Sequence, residues 1–176
     1  MKNKNLVMRG LVCLLLVPCF VIPFVSMFVG QTVVGNTTTI VGEYGIFGNY
    51  ETLADQFAVR NGELAPFWMT LTSIMVVALA VLALVYIVLL VLDIANKKNK
   101  NISKISKFVG FLIVLCSVVA LISAIIAICA NNITGELAKT TAKLVFGIGS
   151  WLLIAPALAG GISLFIPATK ASSKKK

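Results

Sequence analysis

Two carboxylates spaced four residues apart, Glu51 and Asp55 in "ETLADQFAVRN", are the residues of this sequence best placed to do chemistry. On a helix they would share one face. Such a pair can move protons or hold a hard cation. Glu43 and Glu63 flank them in a polar stretch, Gln31–Pro66, that contains no histidine, cysteine or serine. With no nucleophile or further ligand at a recognisable spacing, a solvated helix face is the better reading. Elsewhere the sequence holds no phosphate loop, nucleophile elbow or zinc motif, and no histidine at all. Cys13, Cys19, Cys116 and Cys129 all lie in apolar blocks without metal-ligand spacing, which suits small buried side chains. No catalytic, cofactor-binding or metal-ligating residue is therefore assigned, and the expected protein is not an enzyme.

The same polar stretch holds Tyr44, Phe47 and Tyr50, aromatics of the kind that anchor protein contacts or pack a small cap onto a larger body. These three are the candidate interaction residues. "TTTIVGEYGIF" is β-branched, aromatic and punctuated by glycine, so it predicts a hairpin or short sheet. "ETLADQFAVRN" predicts a helix, with Leu53 and Phe57 on one face and Gly62 as its stop.

The elements that must position this cap are apolar. The chain of 176 residues is 59% hydrophobic and 12% charged, more apolar surface than a water-soluble domain of that length can hide. The apolar residues fall into four blocks, each near the ~20 residues a helix needs to cross a bilayer core. The expectation is an all-α membrane protein: a four-helix bundle carrying a small strand-plus-helix cap from the first outer loop. Its helices are predicted over about 8–30, 67–93, 105–130 and 142–167. The outer loop is 31–66, the cytoplasmic loop 94–104, the short outer loop 131–141 and the cytoplasmic tail 168–176. Pro18 and Pro23 should kink the first helix and Pro156 should bend the fourth. The basic start and apolar run resemble a signal peptide, but no small-residue cleavage site follows, and the segment is read as a retained helix.

Charge sets the expected orientation. Lys2, Lys4, Arg9, the lysines of "NKKNKNISKISK" and the lysines of the tail fall on one side, with Asp93 their only acid. Glu43, Glu51, Asp55, Glu63 and Glu136 fall on the other, with Arg60, Lys139 and Lys143. Positive loops stay inside, so a multi-pass protein of the cell membrane with both termini cytoplasmic is expected. The net charge of +9 is accounted for by these flanks, and no nucleic-acid framework accompanies it.

Arg9, Asp93 and Lys143 sit at helix ends, where they can reach water or headgroups. The helix cores hold no ionisable group of the kind transporters place at membrane depth. They carry packing information instead. Ser117, Ala120, Ala124 and Ala127 line one face of the third helix, and Ala155, Ala159 and Ser163 one face of the fourth, with Ala157 and Gly161 a further small pair. Contact within the same bundle is the favoured role, and contact with another chain the alternative. Trp68 reads as an interface anchor, and Trp151 as a deeper packing residue.

The layout and the motif "GIFGNY" together resemble the claudin and peripheral myelin protein superfamily of tetraspans, including its fungal cortical-membrane relatives. Gly45, Ile46 and Phe47 match the Gly-Leu-aromatic part of that family's first-loop motif, and Gly48 matches the fungal variant. Tyr50 stands where the family has a cysteine, and the loop disulfide is absent. The resemblance implies a role in cell contact, paracellular sealing or organisation of a membrane domain. The expected function is thus protein–protein or membrane-organising interaction, with the lipid bilayer and either a second copy or another membrane protein as partners. The alternative is an accessory subunit of a transporter or a small channel.

Overall fold

In the computed structural model, residues 2–34, 36–46, 66–95, 100–130, 133–135 and 140–166 are described. The order is α1 (Lys2–Leu16), α2 (Pro18–Val21), a 3-10 turn (Ile22–Phe24), β1 (Ser26–Val34), β2 (Thr37–Gly45), α3 (Pro66–Ala95), α4 (Lys100–Ala130), β3 (Ile133–Gly135), β4 (Thr140–Phe146), α5 (Ile148–Leu152) and α6 (Ile154–Phe165). Four helical segments are long and apolar enough to cross a membrane: Val7–Phe24, Phe67–Asp93, Asn101–Ala130 and Ile148–Phe165.

Proline accounts for the breaks in the first segment. Pro18 has no N–H to return to Leu14, so α1 stops at Leu16 and a new turn begins with proline in its first position. Pro23 lies in the 3-10 turn that follows, and Val25 is already extended, with φ −108° and ψ 160°. Pro156 acts similarly in the last segment, where the helix is interrupted at Leu153 between α5 and α6.

The outer helix ends differ from the sequence expectation. The first helix was expected to reach residue 30 and the fourth to begin at 142. Instead 26–30 and 142–146 are strand. The 18 residues of Val7–Phe24 rise about 27 Å at 1.5 Å each, close to the ~30 Å of a bilayer core, so the extra residues are not needed to span it. They include Val29, Gly30 and Val145, and they satisfy their backbone groups by pairing with each other. The second and third helices, 66–95 and 100–130, enclose the expected ranges.

The four strands form one antiparallel sheet in the order β2-β1-β4-β3. β1 is central, pairing Val34↔Thr37 through Phe28↔Tyr44 on one side and Val34↔Thr140 through Phe28↔Phe146 on the other. The cap is therefore built from both outer segments, not from the first alone. The predicted helix at 51–61 lies outside the described residues.

In the bundle, α3 packs chiefly on α4, α4 on α6, and α6 on α1. Ser117, Ala120, Ala124 and Ala127 are fully buried within the chain, as are Ala159 and, nearly so, Ser163, while Ala155 is half-buried. One close crossing was not singled out in the sequence. It lies between α4 and α6 at Gly110 and Gly160. A methyl group on Gly160 would stand 2.7 Å from the Gly110 carbonyl oxygen and 3.1 Å from the Val114 nitrogen. On Gly161, one residue further, it would meet nothing within 4 Å.

This contrast yields a paired test. Gly160→Ala should push α4 and α6 apart and cost about 1–3 kcal/mol. Gly161→Ala should be neutral or stabilise slightly through helix propensity, by less than about 1 kcal/mol. Thermal denaturation of the purified protein in detergent distinguishes the two variants.

Candidate functional site

Polar and aromatic groups gather at the two ends of the bundle, and each end is built differently.

At the sheet end the organising feature is an irregularity at Met27. In the β1–β2 ladder Ser26 opposes Gly45 and Phe28 opposes Tyr44, so Met27 is the extra residue of a bulge. Its carbonyl accepts the Gly147 N–H at 2.8 Å and the Ser150 hydroxyl at 2.6 Å. Gly147 must be glycine here, because any Cβ would overlap the Ser26 carbonyl. The Met27 side chain is buried beside Gly149. The Met27 carbonyl thus fastens the first segment and its sheet to the start of the last one.

Tyr44 is turned inward, not displayed. It is 7% exposed, stacks on Phe28 with ring centroids 5.9 Å apart, and lies 3.2 Å from the Ser73 hydroxyl oxygen. Ser73 donates to the Met69 carbonyl at 3.1 Å, so the tyrosine O–H is the donor between them. Of the two roles open to it in the sequence, packing the cap onto the bundle is the one it fills. The β1–β4 pairing buries Phe28 at the base of the sheet and gives Tyr44 a flat partner. Phe47 and Tyr50 lie outside the described residues, as do Glu51, Asp55 and Glu63. The surface the sheet does present is Thr37, Thr38, Thr39, Ile40 and Glu43, all exposed on β2, which is outermost among the described strands.

Trp151 also differs from its expected place. It is 62% exposed and meets Phe146 edge-on at 5.7 Å. Because the last helical segment starts at Ile148 and not at 142, Trp151 lies in its first turns, at the boundary. Trp68 is half-buried near the start of α3 and packs edge-on against Phe67 at 5.1 Å.

Between the ends, the interior hydroxyls serve the helices themselves. Thr72 donates to the Trp68 carbonyl at 2.8 Å and meets Ser123 at 2.8 Å. Ser117 donates to the Ile113 carbonyl at 2.7 Å and Ser163 to that of Gly160 at 2.6 Å. Cys19 is buried, Cys13 and Cys116 are half-buried, and Cys129 is exposed.

At the opposite, lysine-rich end, Arg9 of α1 and Asp93 of α3 form an ion pair with Nη2 and Oδ2 2.6 Å apart. Their side chains are only 12% and 9% exposed. The sequence placed each at a helix end facing water. It did not join them, because 84 residues separate the pair. The available signal was that Asp93 is the lone acid among the basic flanks. Beside the pair is a small cavity of about 20 Å³, room for roughly one water molecule, which Tyr86, Ser106, Lys107 and Ser163 help to line.

Breaking a largely desolvated pair leaves an unmatched charge. Asp93→Asn should therefore cost about 3 kcal/mol of stability, and the exchange Arg9→Asp with Asp93→Arg should recover much of it. Thermal midpoints of the single and double variants in detergent check both statements. No family model, curated protein or solved structure matches the chain.

Proposed function

We propose that the chain is a non-enzymatic, multi-pass membrane protein that acts by protein–protein or membrane-organising interaction, presenting its sheet to a partner outside the cell. Insertion is supported by the outward faces of the four segments, where Leu14, Val81, Leu84, Leu115, Ile122 and Leu158 are all exposed. Such faces are stable against lipid and not against water. Phe24, Phe67 and Trp151, exposed near the sheet ends of three segments, suit an interfacial aromatic belt. Lysines at the other end support cytoplasmic termini in the cell membrane.

One observation carries the interaction reading. Both outer segments contribute strands to a single sheet, pinned to the bundle through Met27 and Tyr44, whose described outer strand shows Thr37–Ile40 to the surroundings. A rigid platform with an exposed strand suits recognition by another chain. A second copy or another membrane protein is the partner class, in keeping with the resemblance to the claudin-like tetraspans. The engaged interior hydroxyls favour this reading over a conducting path, which would need polar groups turned toward water.

Orientation is tested with single cysteines placed at Thr38 and Lys104 in a background lacking the native cysteines. A membrane-impermeant maleimide should label the Thr38 site in intact cells and the Lys104 site only after permeabilisation; the reverse pattern would overturn the orientation. Interaction is tested by crosslinking and mass spectrometry in the native membrane. Ile40→Lys should abolish a specific partner or self-ladder while leaving the stability within about 0.5 kcal/mol of the parent. Finding neither partner nor oligomer for the parent protein would remove the proposal.

A further inference from the structure

The cavity beside Arg9 and Asp93 has features that an ion-pair lock does not need. All four helical segments contribute to its wall: Arg9 from the first, Tyr86 and Asp93 from the second, Ser103, Ser106 and Lys107 from the third, and Ser163 from the fourth. The cavity, about 20 Å³, is partly open to the surroundings. Two cations and one carboxylate line it. Arg9 is matched by Asp93, and among the described residues no carboxylate lies within ion-pair distance of Lys107. The wall therefore carries one net positive charge beside the Ser103 and Ser106 hydroxyls.

The depth of the cavity narrows the ligand. Asp93 is the last residue of its segment, Lys107 lies within the first two turns of the third, and Ser163 lies two residues from the end of the fourth. These ends meet at the level where a bilayer changes from acyl chain to headgroup. A lysine, an arginine and several hydroxyls converging there form a donor set for a phosphate group. Basic pockets between helices on the cytoplasmic side are suited to anionic headgroups. We propose that the mouth of this cavity binds phosphate, and that the phosphate belongs to an anionic phospholipid of the surrounding leaflet, held by Lys107 with help from Arg9 and the Ser103 and Ser106 hydroxyls. The site stands apart from the sheet and does not depend on the interaction reading.

The experiment is native mass spectrometry of the full-length protein in detergent, titrated separately with dioleoylphosphatidylglycerol and dioleoylphosphatidylcholine. The protein should retain phosphatidylglycerol in preference to phosphatidylcholine. Lys107→Gln should weaken that retention about five-fold, the effect of one well-placed lysine. Lys104→Gln removes the same charge from the same helix end, but Lys104 is exposed and does not line the cavity, so retention should be unchanged. Equal retention of the two lipids, or equal loss in the two lysine variants, would overturn the proposal in favour of diffuse attraction. Displacement of phosphatidylglycerol by inorganic phosphate would assign the site to a soluble phosphate compound and overturn the lipid source; retention against it supports the lipid. Should Lys107→Gln lower the thermal midpoint, Ser106→Ala carries the test without a charge change. Weaker retention then supports the site, and unchanged retention overturns it.

Discussion

The Met27 carbonyl is the point on which the outer half of the molecule turns. That oxygen faces away from β2 and continues the β1–β4 register by one pair, accepting the Gly147 N–H, and the Ser150 hydroxyl closes on it as well. One acceptor thus joins the first segment, the sheet and the last segment. Without glycine at 147, the turn could not come close enough to donate. Tyr44 adds a second fastening from the neighbouring strand to α3 through Ser73.

The bundle below follows a different rule. Apolar matching alone does not drive helices together in lipid, where side chains and solvent are equally oily. Close approach does, and the small residues of α4 and α6 provide it. Gly110 and Gly160 bring the two backbones nearly into contact, and the buried Ser117, Ala120, Ala124 and Ala127 keep α4 slender over the rest of its length. Along the edge where α1 approaches α3, the end of the bundle is closed by Arg9 and Asp93, a charged tie in place of a packed one. The molecule is held at one end by sheet hydrogen bonds and toward the other by backbone proximity and an ion pair.

How legible this was in the sequence depends on the range of each interaction. The apolar segments could be read because a helix satisfies its own backbone, so block length and composition are sufficient. The small-residue faces could be read for the same reason, since their periodicity is local. The ends of the first and fourth helices could not. Val29, Gly30 and Leu144 are as apolar as the helices beside them, and only their pairing across the sheet makes them strand. Tyr44 was visible as an aromatic in a polar stretch, yet its burial depends on Phe28 and Ser73, which lie in other elements. Trp151 was placed too deep because its depth was measured from a helix start six residues early. The Arg9–Asp93 pair was visible as two charges and invisible as one interaction.

The central position of β1 also has a consequence in time. During synthesis β1 and β2 emerge first and can form a hairpin at once, since only Gly35 and Asn36 separate them. The other edge of β1 must wait for β4, which arrives only after α3 and α4 have been made. Until then a row of backbone donors and acceptors from Phe28 to Val34 faces solvent or whatever strand is nearby. The sheet is complete only when the last segment is delivered. The sheet therefore records that all four helical segments have been made and packed, and a chain stalled before residue 140 is left with an unpaired, adhesive strand edge.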